Sequence, residues 1–404
     1  MRHERTRPRW RIAQGDRTAA RELAAQAGIP PIIAQLMLLR GISTGDTAKR
    51  FLNPVLSHLE DPLLLTDMDR AVARITRARD NGEAVLVFGD YDVDGIAATA
   101  LLTRALHRFG VQRAEFAMPD RLRDGYGLMP EQVEKARADG FGLLITVDNG
   151  ISSLAAAQRA EEIGLDLIIT DHHNLEDTLP AAAAVVNPKR EAPGHPLGTL
   201  CGAGVALKLS TALNGTPNDL DIAALGTVAD MVPLLGENRA IVALGLKHMA
   251  KHRRVGLAKL AAASSFDLGD VTSEKIGFQL GPRLNAAGRL DNAGVALDLL
   301  MTECPNQAHQ IASALDAANA ERREIERVIY EEAVEELDAF FGDHHRSIVV
   351  SRGGWHAGVI GIVASRLLAR YHRPVIILSI DEEGMARGSA RATPGFDLMA
   401  ALTE

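Results

Sequence analysis

Val85-Leu-Val-Phe-Gly-Asp90-Tyr-Asp92-Val-Asp94-Gly95 is the stretch on which the reading of this chain turns. Val85 to Phe88 have the length and composition of a buried strand. Three carboxylates follow at alternating positions, and Gly95 opens a helical run from Ile96 to Phe109. Carboxylates packed this closely repel one another unless a cation sits between them, and the usual cation is a divalent metal.

The strand-then-helix rhythm continues on the C-terminal side. Arg113–Met118 reads as a weak strand, Leu143–Val147 and Leu167–Thr170 as strong ones, and Ala184–Asn187 as a candidate fifth. Helical spacing fills Pro130–Asp139 and Ser153–Ile163. Buried strands alternating with helices imply an α/β fold, a mostly parallel sheet with helices on both faces. On the N-terminal side, Arg21 to Arg79 reads as short helices broken by Gly28-Ile-Pro30-Pro31, Gly41 and Asn53-Pro54, a helical cap over residues 1–80.

After Gly202 the sequence turns helical, with Ala203–Leu213, Leu220–Val228 and Arg239–Lys251, and the first large unit is expected to span 81–302. Pro305 to Phe341 has no internal Gly or Pro and no persistent heptad, so residues 303–342 read as one long connecting helix. Ser347–Ser351 and Pro374–Ser379 then flank a helix from about Ala357 to Tyr371. They form a smaller α/β unit over 343–404, still incomplete at the last residue.

At 404 residues and 47% hydrophobic, the chain can bury a large core and divide into two or three units. Two cysteines, Cys201 and Cys304, exclude a disulfide framework and a cysteine zinc site, and point to a reducing, cytoplasmic setting. No run is long enough to span a bilayer. The net charge of −8 means that any polyanion must be held by a local groove or through metal. Aromatics at 4% leave little for extensive base stacking.

Functional groups in open α/β sheets gather beyond the carboxyl ends of the strands. Here Val85–Phe88 delivers Asp90, Asp92 and Asp94, Leu143–Val147 delivers Asp148-Asn149-Gly150, and Leu167–Thr170 delivers Asp171-His172-His173. Asp230 stands at the end of a helical segment. Taken singly, each has a bland reading: an acid after a strand is most often a helix cap, and paired histidines are usually surface residues. Together they form a carboxylate and imidazole set without cysteine, which suits manganese or a related divalent ion better than structural zinc. So many acids point to two ions about 3.5–4 Å apart, the arrangement used for phosphoester hydrolysis.

Asp171-His172-His173 is the signature of the DHH phosphoesterases, and the surrounding segments resemble the RecJ branch, the single-strand-specific 5′→3′ exonucleases. The similar segments are Gly89-Asp-Tyr-Asp-Val-Asp-Gly95, Pro119-Asp-Arg121 with Gly125-Tyr-Gly127, Val147-Asp-Asn-Gly-Ile151, Thr170-Asp-His-His173, Cys201-Gly-Ala-Gly-Val205, Thr227-Val-Ala-Asp-Met-Val-Pro233, Gly281-Pro-Arg-Leu-Asn-Ala-Ala-Gly-Arg289, Gly354-Trp-His-Ala-Gly-Val-Ile-Gly361 and Gly388-Ser-Ala-Arg391. The resemblance implies a DHH domain and a DHHA1-type domain. It places Asp92, Asp94, Asp148, His172, His173 and Asp230 at the metal-binding, catalytic positions, with Asp148 bridging two ions, Mn2+ preferred and Mg2+ usable. Asp90, Asn149 and Asp171 would orient those ligands. It further implies hydrolysis of single-stranded DNA from the 5′ end to 5′-mononucleotides, in DNA repair and recombination. The protein would be a monomer, with a single-strand-binding protein and a helicase as partners.

Gly281–Arg289 sets two guanidiniums and an amide in a glycine-containing turn, and guanidinium forks match phosphate geometry. Read alone, Arg283 and Arg289 fit equally a loop packed on the long helix. With the resemblance they, and Asn285, are expected at the strand's phosphates. Ser389 and Arg391 suit a terminal phosphate, and Arg121 is expected to reach the same place. Trp355 and His356 precede a helix start, where amides favour an anion; Trp355 suits simple packing equally well.

Two rival readings remain open: a DHH enzyme acting on short oligoribonucleotides, cyclic dinucleotides or pyrophosphate, and a non-catalytic replication scaffold. The first commonly has a histidine where this chain has Phe88; the second should have lost ligands, and none is lost here. Similar proteins continue past Gly-Ser-Ala-Arg into a Gly-Gly-His motif and an OB-fold, whereas this sequence stops at Glu404. The expectation is a C-terminally truncated form with complete metal ligands and a weaker, more salt-sensitive grip on DNA.

Overall fold

The computed structural model describes residues 12–119, 127–290, 292–342 and 344–403, so Arg121 and the arginine-rich residues 1–11 lie outside it. Helices α1 (Arg17–Ala27), α2 (Pro31–Leu38), α3 (Gly45–Leu52) and α4 (Met68–Asp80) precede the first strand. Asp16 caps α1 by accepting from the Thr18 and Ala19 amides, and Gly28 ends it in the left-handed conformation. The Gly-Pro and Asn-Pro breaks in the sequence are the real helix boundaries. The first three helices share a small core built on Leu23, Ala34, Met37 and Ala48, while α4 packs into the main one.

Next come β1 (Val85–Phe88), α5 (Val93–Phe109), β2 (Ala114–Ala117), α6 (Pro130–Ala138), β3 (Leu143–Val147), α7 (Leu154–Ile163), β4 (Asp166–Thr170) and β5 (Ala184–Val186). Every pairing is parallel and the strand order is β2-β1-β3-β4-β5. Successive side chains of a strand point to opposite faces, and both faces are covered. Val85, Val87, Leu143 and Ile145 pack into one core with α4, α5 and the helices that follow β5. Leu86, Phe88, Leu144 and Leu167 pack into a second core with α6 and α7. The strand order reverses between β1 and β3, which opens a crevice beyond their carboxyl ends.

Helices α8 (Gly202–Asn214), α9 (Leu220–Ala229), α10 (Gly236–His252) and α11 (Val255–Ala263) complete the first core. A one-turn α12 (Ser273–Lys275) runs into a π-helical turn, Ile276–Leu280, and then into α13 (Gly281–Leu290). The expected glycine-containing turn over Gly281–Arg289 is therefore a helix. Gly288 serves close approach: a Cβ there would lie 2.5 Å from the Tyr91 carbonyl oxygen, in the acidic loop.

After α14 (Gly294–Met301), α15 (Pro305–Phe340) runs 36 residues without a break, about 54 Å at 1.5 Å per residue. Ala308, Ala312 and Leu315 join the parallel-sheet core, whereas Ile329, Ala333 and Leu337 join the core of the last unit. That unit contains β6 (Ile348–Gly353), α16 (Ile360–Tyr371), β7 (Val375–Ile380), β8 (Ala386–Arg391) and α17 (Leu398–Thr403). β6 and β7 are parallel, β7 and β8 antiparallel. Gly388-Ser-Ala-Arg391, which carries no strand signal of its own, is held in β8 by pairing Ser389 with Ile377. Among the described residues no helix is long and apolar enough to cross a membrane.

One buried ion pair ties the N-terminal segment to the sheet unit. Lys208 on α8 and Glu237 on α10 pair with side chains 3% and 1% exposed. Lys208 Nζ also donates to the Glu60 carbonyl at 2.7 Å, and the Glu60 amide donates to Glu237 at 2.9 Å. Removing one partner of a buried pair strands the other's charge, at about 3–5 kcal/mol. Lys208→Met should therefore destabilise the protein to urea by about that amount, and Lys208→Met/Glu237→Gln by much less. Equal losses in the two variants would contradict the pairing argument.

Candidate metal centre

Four segments meet at the β1–β3 crevice: the loop after β1, the ends of β3 and β4, and the end of α9. Asp92 is the N-cap of α5, one oxygen accepting from the Asp94 and Gly95 amides at 2.9 and 3.1 Å. The cap explains its position and engages only Oδ1. Asp94, 1% exposed, faces the first turn of α8, its Oδ2 accepting from Gly202 at 2.6 Å and its Oδ1 from Ala203 at 2.9 Å. These amides are contributors that sequence reading passed over, and the glycines of Cys201-Gly-Ala-Gly-Val205 were their signal. A Cβ on Gly202 would lie 2.5 Å from Asp148 Oδ1, and one on Gly226 2.6 Å from Asp94 Oδ1, so the glycines admit α8 and α9 to the carboxylates.

Asp148 is 2% exposed and sits at φ 62°, a left-handed conformation that costs a non-glycine residue about 1–3 kcal/mol. Its Oδ1 accepts no hydrogen bond among the described residues. The His172 Nε2 lies 3.0 Å away, and the same nitrogen is 3.8 Å from Asp94 Oδ2. His172 Nδ1 is 3.8 Å from Asp230 Oδ2. Burial, helped by His173, lowers the His172 pKa to about 4, leaving a neutral imidazole with a lone pair for a cation.

The carboxylates show the opposite strain. Burial, then the charges of Asp230 and Asp92, push the Asp94 pKa up to about 7. Burial and Asp92 push Asp230 up to about 6. Asp148 is raised as well, by burial and then by Asp94 and Asp92. Asp171 differs: against the pull of burial, its hydrogen bond with His173 lowers its pKa. Its Oδ1 accepts from the His172 and His173 amides and meets His173 Nδ1 at 2.7 Å, while Oδ2 accepts from Ile151 at 2.9 Å. Both oxygens are spent on aiming the histidines. Asn149 Nδ2 donates to the Phe88 and Val147 carbonyls, joining the ends of β1 and β3.

Three sets of side chains offer ligand atoms within 4.8 Å of one another: Asp148, His172 and His173; Asp94, His172 and Asp230; Asp90, Asp92 and Asp148. Asp148 belongs to two of them. Asp90, expected only to orient other ligands, reaches as close as the rest. An orphaned buried oxygen, mutually repelling acids and a neutral imidazole fit a divalent cation held by oxygen and nitrogen.

The expected phosphate contacts divide. Asn285 Oδ1 accepts from the Val93 amide at 3.1 Å, which pins the acidic loop to α13. Arg289 donates to the Gly358 carbonyl at 3.1 Å, and His356 Nδ1 accepts from the Gly358 amide. Ser389 and Arg391 lie together on β8 beside the first turn of α16, where a Cβ on Gly361 would be 3.0 Å from Ser389 Oγ. Arg283 instead pairs with Asp316 on α15 at 2.8 Å and caps the Gln279 carbonyl, the interhelical tie that was its bland reading. Trp355 is 5% exposed and donates to Glu332 at 2.7 Å, so packing accounts for it.

Comparison with known proteins agrees with this geometry. Residues 84–229 match the DHH family, N-terminal domain, and residues 345–404 the DHHA1 domain. The single-stranded-DNA-specific exonuclease RecJ of Bacillus subtilis is 41% identical over 98% of this chain and 50% of its own length. That of Escherichia coli is 36% identical, over 93% of this chain and 68% of its own length. The crystal structure of Thermus thermophilus RecJ in complex with Mn2+ superimposes with a TM-score of 0.83 and 32% identity, over 97% of this chain and 56% of that one. A Mg2+ complex from the same organism is also similar, at a TM-score of 0.73. The chain thus spans about half the length of the Bacillus relative.

The raised carboxylates set a pH dependence. Asp94 and Asp230 hold protons in the folded state at pH values where the unfolded chain, near 3.8, has lost them. Without metal, these two acids should make stability fall as pH rises from about 4 to about 7, offset in part by His172, whose pKa of about 4 against 6.5 in the unfolded chain works in the opposite direction. Mn2+ competes with those protons, so its stabilising effect should grow over the same window. Melting temperatures in chelator and in Mn2+ between about pH 5 and about pH 8 check this. A Mn2+ shift that shrinks as pH rises would contradict it.

Proposed function

Because this chain belongs to the RecJ family of single-stranded-DNA-specific exonucleases, we propose that it hydrolyses single-stranded DNA from the 5′ end, releasing 5′-mononucleotides. The observation that carries the reading is Asp148: buried, left-handed, with an oxygen that accepts no hydrogen bond among the described residues, and common to two ligand sets. Residues 1–80, helical in their described part, are assigned as a cap, 81–302 as the DHH catalytic unit, 303–342 as the connecting helix and 343–404 as a DHHA1-type substrate unit. The matched segments and the unbroken helix α15 support that division.

We propose that two divalent ions, Mn2+ preferred, would be held here, with Asp148 among their ligands. Bound there, they supply an activated water and positive charge against the leaving 3′ oxygen. The protein's own groups do the rest. Asp92, Asp94, Asp230, His172 and His173 hold the ions, with Asp90 in reach of the same place. Asp171 fixes the proton on His173 Nδ1, so that Nε2 presents its lone pair. Asn149 and Asn285 fix the loops that carry the acids. Ser389 and Arg391, beside the first turn of α16, receive the 5′-phosphate. Arg289 and His356, which both bond the Gly358 backbone, would meet the strand's phosphates.

Work on repair and recombination intermediates requires single strands to be exposed and protected. A helicase and a single-strand-binding protein are therefore the partners we infer, for a monomer acting in the cytoplasm.

Asp148→Asn, which keeps the left-handed backbone tolerable, and His172→Ala should abolish digestion of an end-labelled single strand in Mn2+, with circular dichroism unchanged. Turnover near the parent's in either variant would overturn the assignment. A 5′-phosphorylated strand should be cut faster than a 5′-hydroxyl one. Arg391→Ala should erase most of that preference, since one charge-assisted contact contributes about 1.5–3 kcal/mol, roughly ten- to a hundredfold. Equal rates on both ends for the parent would point to internal or 3′ attack.

A further inference from the structure

A cavity of about 540 Å³ opens beside the acidic cluster, with Met231, Phe278, Asn285, Arg289, Arg322 and Ile362 in its lining. At one end it borders the loop that carries the cluster, through Asn285. Met231 follows Asp230 in the chain, and Asn285 holds the Val93 amide between Asp92 and Asp94. At the other end Ile362 follows Gly361, against which Ser389 rests. The cavity therefore lies between residues that adjoin the acids, Met231 and Asn285, and Ile362, which adjoins the Ser389 contact.

Two apolar side chains in this lining are exposed for no reason that packing supplies. Phe278 is 79% exposed, more than any other phenylalanine among the described residues, and Met231 is 87% exposed. Each also sits on unfavourable backbone. Phe278 lies in the π-helical turn Ile276–Leu280, a distortion that is rare and frequent at functional sites. Met231 has φ 61°, the left-handed region that a side chain disfavours. The lining also carries Glu274 and an Arg322 paired with Glu326, but two exposed apolar residues beside the Arg289 guanidinium suit a ligand with a flat apolar face and an anionic backbone. A nucleotide strand has both.

We infer that Phe278, backed by Met231, is the platform on which a base within the first few nucleotides of the strand stacks while the backbone passes the acidic cluster. This rests on the single-strand reading above and adds to it a residue that binds the base, independent of sequence. The low aromatic content makes it more consequential, since 4% aromatics leave few other stacking surfaces. Neither side chain carries charge, so losing it should leave metal binding alone.

The test uses KM on a 5′-phosphorylated oligodeoxynucleotide in Mn2+, with Mn2+ affinity measured in parallel by calorimetry. Phe278→Ala should raise KM roughly five- to a hundredfold, the range for losing one stacked base. Phe278→Trp should restore it, and Mn2+ affinity should stay at the parent value in both. A single abasic nucleotide moved along the first few positions should raise the parent's KM at one of them and leave that of Phe278→Ala unchanged there. Parent-like KM in both Phe278→Ala and Phe278→Ala/Met231→Ala overturns the platform while leaving the exonuclease reading standing. Weakened Mn2+ binding in Phe278→Ala would make the residue structural and also overturn the platform. A parent that digests no single strand overturns the exonuclease reading, and the platform with it.

Discussion

Mutual repulsion among buried carboxylates is the constraint on which this structure depends. Asp94 and Asp148 lie in the crevice between β1 and β3 with almost no water to screen them, and Asp92 and Asp230 press on Asp94 from the open side. Left to themselves they hold protons at pH values where exposed carboxylates have lost them. The backbone takes up part of the load. The first amides of α8 point at Asp94, and a helix N-terminus favours negative charge. Asp148 Oδ1 has no such donor among the described residues, and that oxygen marks where a cation belongs.

The rest of the architecture holds that arrangement in place. The strand order reverses beside the acids, so helices leave from both sides and the crevice stays open. Gly202, Gly226 and Gly288 remove the Cβ atoms that would keep α8 from Asp148, α9 from Asp94 and α13 from the Tyr91 carbonyl. Helix α15 then joins two cores, and the Arg289–Gly358 hydrogen bond brings the second unit's β6–α16 turn against α13. Asn285 and Arg289 of α13 and Ile362 of α16 thereby line one cavity.

Much of this was legible in the sequence because it rests on local signals. β1, β3 and β4 are short apolar runs that end in acid, and Gly28, Pro31 and Asn53 bound helices for stereochemical reasons. Asp148, His172 and Asp230 were readable as a set because each follows such an element. What escaped depends on distant partners. Gly281 and Gly288 read as a turn, although Gly288 is there for the Tyr91 carbonyl, far earlier in the chain. Arg283 read as a phosphate ligand, and Asp316 on the long helix claims it. Trp355 looked available until Glu332 and the third core covered it. Asp90 looked like a support, and only the folded loop shows it within reach of Asp92 and Asp148. β8 has no apolar alternation to announce it; pairing with β7 alone makes it a strand.

Central to the proposal is that Asp148 would serve as a ligand to two metal ions. Anomalous diffraction at the manganese edge, from crystals of this chain grown with Mn2+, tests it most directly. The account predicts two peaks about 3.5–4 Å apart, both within ligand distance of the Asp148 carboxylate, one reached by His172 and the other by Asp92. A single peak, or two peaks that do not share Asp148, would contradict it.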